Sequence, residues 1–201
     1  MSAPSLVERL CEALRLLPGV GPKSARRMAY YLLVRNREAA VQLGRVLIEA
    51  AERVRRCRQC RNLTESELCA ICASPQRDDA LVCVVESASD VHAIDEATDY
   101  SGRYFVLHGR LSPLDGVGPA EIGLDQLGAW LDGGIVNELV IATNPTVEGD
   151  ATAYYIAERL AAPRGIRCTR IAHGVPMGGE LEFVDGGTLR HAFAGRRALD
   201  G

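Results

Sequence analysis

The chain has 201 residues with a formal net charge of −3, and 47% of its residues are apolar. This length and composition are typical of an ordinary globular protein of one or two domains with a real core. No run approaches the ~20 apolar residues of a membrane span, and the first ten residues lack the basic-then-apolar order of a secretion signal. We therefore expect a cytoplasmic protein with no membrane partner.

The charge is divided unevenly along the chain. Residues 1–61 carry thirteen of the 23 Lys and Arg residues but only five of the 26 Asp and Glu residues, which gives this part a net charge of +8. The remainder, residues 62–201, has a net charge of −11. A basic part in an otherwise acidic chain indicates an anionic partner, and nucleic acid is the first candidate.

The first predicted helix begins after Ser5, because Ser5 and Glu8 have the spacing of a capping box. Leucines follow at helical spacing, and Pro18 is predicted to end the helix. A glycine-rich turn comes next, and Pro22 suits the first position of a second helix. The apolar face of that helix is predicted to hold Ala25, Met28, Ala29, Leu32 and Leu33.

The turn between these helices has features of a phosphate-binding site. Glycine lets a nucleic-acid backbone come close, and the free N–H groups at the start of the second helix can bind phosphate oxygens. Cations follow in the first turns, where the helix dipole disfavours them unless an anion is bound. A solvated basic face is the alternative. The predicted contacts are Gly19, Gly21, Lys23, Arg26 and Arg27.

This turn resembles the helix-hairpin-helix motif of DNA-repair proteins, which grips the phosphate backbone without reading sequence. Residues 37–56 are predicted to form a third helix with an apolar side. Arginine is dense at its end and beyond, where part of the cluster suits the helix C-terminus and the whole could contact phosphate. The cluster consists of Arg53, Arg55, Arg56, Arg58 and Arg61.

Four cysteines form two Cys-x-x-Cys pairs separated by eight residues: Cys57, Cys60, Cys69 and Cys72. Two such pairs are the recurring ligand set of a tetrahedral zinc ion. So short a segment cannot bury a core, and the metal would supply the missing folding energy. Four thiolates leave no open coordination position for a reaction. The pattern therefore predicts one structural zinc per chain.

From residue 80 the pattern changes to alternating strands and helices. Buried strands are predicted at 81–85, 104–107 and 139–142, a short strand at 168–171, and helices around 122–131 and at 151–161. This alternation predicts an α/β fold with a mostly parallel sheet and helices on both faces. Residues 180–184 are predicted to form a strand that ends in Asp185, in the manner of a nucleotide-binding strand, and residues 188–194 a last helix. His173 is expected to be a loop histidine rather than a ligand.

Three carboxylates are predicted to meet at the carboxyl edge of the sheet. Glu86 follows the first strand directly, while Glu148 and Asp150 lie beyond another. Carboxylate oxygens suit Mg²⁺, and solvated loop acids are the alternative. No residue is marked as a nucleophile, so no catalytic residue is predicted.

This part of the chain resembles a Toprim domain. In that family a glutamate after the first strand and a later Asp-x-Asp hold Mg²⁺. Glu86 matches the glutamate, and Glu148 and Asp150 stand at the Asp-x-Asp positions, with Glu in place of the first Asp.

The order of hairpin turn, four-cysteine knuckle, Toprim-like sheet and Gly-rich tail resembles the RecR family over nearly the whole chain. The segments SPLDGVGP (112–119), TNPTVEGDATA (143–153) and RIAHGVPMGGELEFVDGGTL (170–189) carry the resemblance further. It implies a helix-hairpin-helix region at 1–53, a C4 zinc finger at 54–79, a Toprim domain at 80–175 and a C-terminal strand-helix tail at 176–201.

The resemblance also implies a function. It predicts a non-catalytic mediator of recombinational repair in the bacterial cytoplasm and nucleoid, which acts with RecO and RecF to load recombinase at single-stranded gaps. It implies sequence-independent DNA contacts through Lys23 and Arg27, partner binding through Glu86, Glu148 and Asp150, and a homo-oligomer, either a dimer or a ring tetramer. The alternatives are an Mg²⁺-dependent Toprim nuclease and a zinc-containing regulator.

Overall fold

The structure, a computed structural model, describes residues 3–172 and 174–196. The chain forms two compact units, residues 1–54 and 55–201. His173 and the last five residues of the predicted tail lie outside the described residues. None of the helices in the described ranges is long and apolar enough to cross a membrane.

The first unit is helical, with α1 at Leu6–Leu14, α2 at Pro22–Tyr30 and α3 at Arg37–Arg53, and a π-helical turn extends α2. The predicted capping box is confirmed. The Ser5 hydroxyl accepts a hydrogen bond from the Glu8 N–H at 3.3 Å, and the Glu8 carboxylate accepts one from the Ser5 N–H at 2.6 Å. Helix α1 ends before Pro18, because the next N–H groups bond to carbonyls three residues back and tighten the chain.

The apolar sides of α2 and α3 differ in burial. Ala25 and Ala29 of α2 are fully buried, as predicted, whereas Met28 is exposed. Helix α3 is three residues shorter than predicted, and its apolar side is exposed, with Val46 and Leu47 more than half accessible. Helix α3 thus has an apolar side that the described residues leave uncovered.

The second unit begins with a small knuckle and continues into a four-stranded sheet. The knuckle contains the antiparallel strands β1 at Arg55–Arg56 and β2 at Leu63–Thr64, and the single-turn helix α4 at Ala70–Ala73. The sheet strands are β3 at Asp78–Val85, β4 at Gly102–Val106, β5 at Glu138–Ala142 and β6 at Arg167–Arg170. All neighbours are parallel in the order β4-β3-β5-β6, so β4 and β6 are the edges.

Helices cover both faces of this sheet, as predicted. They are α5 at Ala88–Ala97, α6 at Leu124–Leu131 and α7 at Val147–Tyr155. Alternate strand residues point to opposite faces. Val82 and Val84 of β3 therefore pack with α6 and α7, whereas Cys83 and Val85 pack with Val91 of α5. The core consequently forms two layers, one on each side of the sheet.

Helix α7 begins four residues earlier than predicted, at Val147. The Thr146 side chain caps it by accepting a hydrogen bond from the Gly149 N–H at 3.1 Å. Glu148 and Asp150 therefore lie in the first turn of α7 and not in a loop before it. Acidic residues suit this position, because their charge interacts favourably with the helix dipole.

The predicted strand at 180–184 is wrong, because residues Leu181–Phe183 form a 3₁₀ turn. Asp185 is the N-cap of helix α8 at Gly186–Ala194, where its carboxylate accepts hydrogen bonds from the N–H groups of Gly187 and Thr188 at 2.9 and 3.0 Å. Its local role as a cap replaces the predicted likeness to a nucleotide-binding strand.

Candidate metal centre and nucleic-acid interface

The four cysteines of the two Cys-x-x-Cys pairs form one buried cluster. Their sulfur atoms all lie within 4.8 Å of one another. Cys57 and Cys60 come from the turn after β1, whereas Cys69 caps α4 and Cys72 lies within it. Two tight turns thus bring four thiols to a common centre, and this donor set fits a tetrahedral metal with no open position.

Backbone N–H groups point at the sulfur atoms. Cys57 Sγ accepts from the Cys69 N–H at 3.3 Å, Cys60 Sγ from the Asn62 N–H at 3.4 Å, and Cys69 Sγ from the Cys72 N–H at 3.5 Å. Hydrogen bonds among the sulfur atoms lower the pKa of Cys69 and raise the pKa of Cys60 and Cys72. The backbone N–H groups, in contrast, favour the thiolate form of the sulfur that each one contacts, and thiolate is the form that binds metal.

The knuckle is docked on the β4 edge of the sheet. The N–H of Val106, the last residue of β4, donates to the carbonyl of Cys60 at 2.8 Å. An edge strand otherwise presents unpaired polar groups, so this bond satisfies one of them and joins the metal-binding turn to the sheet. Two residues further on, the Nε2–H of His108 donates to the carbonyl of Arg61 at 2.7 Å.

Two buried arginines, Arg61 and Arg103, join the knuckle to the rest of the second unit. Arg61 has a positive φ of 64°, and its guanidinium donates to the carbonyl of Ile122 and lies 5.7 Å from the centre of the Phe105 ring. Arg103 of β4 donates to the carbonyls of Ile71 and Cys72 at 2.7 and 2.8 Å. It thereby caps the C-terminus of α4, where a cation also suits the helix dipole.

The predicted arginine cluster does not act as a single set. Arg61 is only 5% exposed, so its expected contact with phosphate is wrong. Its guanidinium holds the α6 side of the sheet instead. Arg58 is exposed but paired with Glu67 at 2.8 Å, and Arg53 is paired with Glu49. Arg55 and Arg56 lie exposed on β1.

The hairpin turn places its predicted residues at the start of α2. Gly19 has a φ of +77°, which favours glycine, and Gly21 is the N-cap with no side-chain hydrogen bond to the helix. Lys23, Arg26 and Arg27 are all exposed. Within the described ranges, none of these three cations pairs with a carboxylate. Their charges are therefore not neutralised by a carboxylate of the described residues.

The predicted acidic residues lie at the carboxyl edge of the sheet, but each has a different environment. Glu86 is only 6% exposed, and its two oxygens accept hydrogen bonds from the backbone and side-chain N–H groups of Asn144, both at 2.8 Å. Asp150 pairs with Arg170 at 2.5 Å. Glu148 is half-buried. In the part of the chain that the structure describes, these three carboxylates do not gather around one ion position as the cysteines do.

The Glu86 contacts tie the end of β3 to the loop after β5. A Cβ atom at Gly149 would lie 2.1 Å from the carbonyl oxygen of Asn144 and 3.1 Å from a Glu86 oxygen, so α7 packs against this loop without room for a side chain. Asn144 and Arg170 were missed by the sequence analysis. The position of Asn144 two residues after a predicted strand was the available signal, whereas Arg170 carried none.

Tyr100 and Tyr104 of the second unit are engaged in hydrogen bonds. Burial raises the pKa of the Tyr104 and Tyr100 hydroxyls above their usual value. Tyr104 donates to Asp95 at 3.1 Å and Tyr100 donates to the carbonyl of Arg103 at 3.0 Å. Both phenols are therefore held in the protonated, hydrogen-bonding form.

Comparison with known proteins covers nearly the whole chain in four segments. The matching family models are the RecR helix-hairpin-helix at residues 7–51, the RecR four-cysteine zinc finger domain at 54–74, the Toprim domain at 80–172 and the RecR C-terminal segment at 174–197. The zinc finger match includes all four clustered cysteines. The ion that these thiols are positioned to bind is therefore one zinc.

Curated relatives match over the full length. The Recombination protein RecR of Halorhodospira halophila is 59% identical over 199 residues, which covers 99% of this chain and 98% of that protein. The proteins of the same name from two strains of Xanthomonas oryzae pv. oryzae are 59% identical over 192 residues, which covers 96% of this chain and 97% of each relative.

We predict that removal of the zinc loosens the β4 edge as well as the knuckle, because Cys60 and Val106 share a hydrogen bond. In the Cys57→Ala variant, or after strong chelation, the Val106 amide should exchange faster with solvent while that of Val84 in the central strand stays protected. A loss of ~2 kcal/mol would lower the melting temperature by about 4–8 °C.

The matched control is Cys11→Ser, since Cys11 is half-buried in the first unit and outside the cluster. This variant should retain one zinc by elemental analysis and melt like the wild type. A zinc-free protein with unchanged melting and unchanged Val106 exchange would contradict the prediction.

Proposed function

The chain belongs to the RecR family of recombination proteins, and from that premise we propose that it is a non-catalytic, DNA-binding mediator of recombinational repair. The family membership confirms the resemblance inferred from the sequence. The finer proposal is that it works with RecO and RecF in the bacterial cytoplasm and nucleoid to load recombinase at single-stranded gaps. The observation that carries the DNA-binding role is the group of unpaired cations on α2.

The hairpin offers a phosphate two kinds of contact. The first N–H groups of α2 have no partner within the helix, and Gly21 supplies no side chain to cap them. Lys23 and Arg27 stand one turn apart on the same side of α2 and supply full positive charge. Both contacts recognise the phosphate backbone and neither reads a base, so the proposed binding is independent of sequence.

A single hairpin makes few phosphate contacts, and its binding is therefore weak and sensitive to salt. We propose that the protein acts as a homo-oligomer, a dimer or a ring tetramer, which multiplies this weak contact through effective concentration. The exposed apolar side of α3 supports an assembled state, because such a surface is usually covered by a partner.

We propose that the acidic edge of the second unit binds protein partners and performs no reaction. Both oxygens of Glu86 are engaged by Asn144, and Asp150 is paired with Arg170. Glu86 is buried and serves as a brace between loops, whereas the Asp150 carboxylate stays 55% exposed beside its Arg170 partner. Glu148 and Asp150, on the first turn of α7, provide charge for a basic partner surface, and RecO and RecF are the proposed partners.

We predict that Lys23→Ala with Arg27→Ala weakens DNA binding without changing the fold. The slope of log affinity against log salt should fall by about 1.4 on single strands, since each lost phosphate contact removes about 0.7. Titration by fluorescence anisotropy at several salt concentrations measures this. Oligonucleotides of unrelated sequence should bind equally, and a strong sequence preference would favour a regulator.

The control is Arg9→Ala with Arg45→Ala, which removes the same charge from exposed positions on α1 and α3. If both double variants weaken binding equally, net charge and not the hairpin determines affinity. Unchanged affinity of the Lys23/Arg27 variant at low salt would also reject the hairpin as the contact.

We expect no strand cleavage when the purified protein is incubated with Mg²⁺ and a gapped plasmid, because Glu86 is already bonded to Asn144 and the Tyr100 and Tyr104 hydroxyls are held in the protonated form. Gel analysis of the plasmid measures this. Cleavage that requires Mg²⁺ and disappears in Glu86→Gln would instead support the Toprim nuclease.

We predict that Glu148→Gln with Asp150→Asn weakens RecO or RecF binding, chiefly by slowing association at low salt. Light scattering with and without partner gives the mass of the chain's own assembly and of the complex, and surface plasmon resonance gives the rates. Asp125→Asn with Glu158→Gln, two exposed acids on α6 and after α7, is the matched control. Equal effects of both pairs would argue against a site at the edge.

A further inference from the structure

Beside the unpaired cations of α2 lies a shallow pocket of about 370 Å³. Its walls are all residues of this one helix: Pro22, Lys23, Arg26, Arg27 and Tyr30. Residues three and four positions apart lie on the same side of a helix. The Tyr30 ring therefore lies one turn beyond two guanidinium groups, at the end of a strip about 10 Å long that begins at Lys23.

Tyr30 is placed as a binding surface and not as a core residue. It is 55% exposed, whereas Ala25 and Ala29 on the buried side of α2 are fully covered. Among the described residues, its ring makes no ring–ring or cation–π contact. An aromatic face next to several free cations is thus open to a flat ligand that also carries negative charge.

The charges around Tyr30 indicate the side on which such a ligand binds. Tyr30 and Arg26 also line a second cavity, of about 480 Å³, toward α1, and that cavity includes Glu8, Glu12 and Arg15. Arg15 is paired with Glu12 at 2.8 Å, and the two carboxylates offset the two arginines, so this cavity has no net positive charge to attract a phosphate. The pocket with Lys23 and Arg27 contains no acidic residue among its lining side chains, so a polyanion is directed to this side of Tyr30.

We infer that Tyr30 is a stacking platform for an unpaired base of a single DNA strand, whose phosphates lie along Lys23, Arg26 and Arg27. This inference rests on the proposed DNA binding by the hairpin. Stacking on an aromatic ring is available to any base, so it preserves sequence independence. In a duplex the bases are already stacked inside the helix, and only the phosphate contacts are then possible. On this inference, Tyr30 makes the hairpin bind single strands more tightly than duplex.

The test compares Tyr30→Ala, Tyr30→Phe and Tyr31→Ala in the full-length protein. Tyr31 is the matched control, because it is the adjacent residue, is 58% exposed and does not line the pocket. Affinities for a labelled single strand and for a duplex of the same sequence are measured at several salt concentrations from low salt upward, and thermal melts establish that each variant is folded.

Loss of a base stack corresponds to about a fivefold to hundredfold loss of affinity. Tyr30→Ala should show this loss on the single strand and bind duplex like the wild type, while Tyr30→Phe and Tyr31→Ala should bind both like the wild type. The salt slope should not change in Tyr30→Ala, since no phosphate contact is removed. An equal loss on both DNAs, or no loss, would overturn the inference.

A second measurement does not depend on the stability of the alanine variant. The only tryptophan of the chain is Trp130, in the second unit. Tyr30→Trp adds an indole in the pocket, and its fluorescence above that of the wild type should be quenched by oligo-dT but not by duplex. Tyr31→Trp should show no such difference. Quenching that is absent, or equal for both DNAs, would overturn the stacking platform.

Different results would reject the proposed DNA binding and the stacking role of Tyr30. If the wild type binds neither DNA at low salt, the proposed function itself is wrong. If the wild type binds DNA and Lys23→Ala with Arg27→Ala weakens it, but the Tyr30 variants keep the wild-type ratio of single-strand to duplex affinity, the hairpin is the DNA contact and Tyr30 only packs against α1.

Discussion

The second unit depends on the junction between the zinc knuckle and the exposed edge of its parallel sheet. The Cys60 carbonyl accepts a hydrogen bond from the Val106 N–H. Arg61 of the knuckle donates to the Ile122 carbonyl, and Arg103 of the sheet donates to the Ile71 carbonyl of the knuckle. An edge strand has unpaired backbone groups, and a metal loop of this length is too short to bury a core of its own. Zinc therefore orders the knuckle, and the ordered knuckle supplies a hydrogen-bond partner to the sheet edge.

The basic residues of the chain differ in whether the protein itself bonds them. Arginines on the second unit are largely engaged: Arg103 donates to carbonyls of α4, Arg61 donates to the Ile122 carbonyl before α6, and Arg170 pairs with Asp150. The cations of α2 have no such partners among the described residues. A positive charge held by the protein stabilises the fold, whereas one left unpaired at a helix start remains available for an external anion. The basic and acidic parts of the chain thus differ in availability as well as in sign.

Local patterns in the sequence predicted most of the framework. The capping box at Ser5, the helix start at Pro22, the four clustered thiols and the buried strands all depend on neighbours within a few residues, and the structure confirms each of them. The parallel order with helices on both faces also followed, because alternating strands and helices leave few other arrangements. For the same reason the predicted position of Glu86 at the end of β3 is correct.

Tertiary structure decided which partner each buried charged residue bonds. The sequence placed Arg61 among phosphate ligands, but the positive φ at that residue turns its side chain onto the Ile122 carbonyl, 61 positions away. The bonds of Glu86 to Asn144 likewise join residues that are distant in the chain. A composition or a spacing records charge and local geometry, and it holds no information about which distant carbonyl or amide will satisfy a buried polar group. Sequence by itself therefore determined the elements and the metal ligands, and only the packed chain determined which charges are bonded internally and which stay unpaired among the described residues.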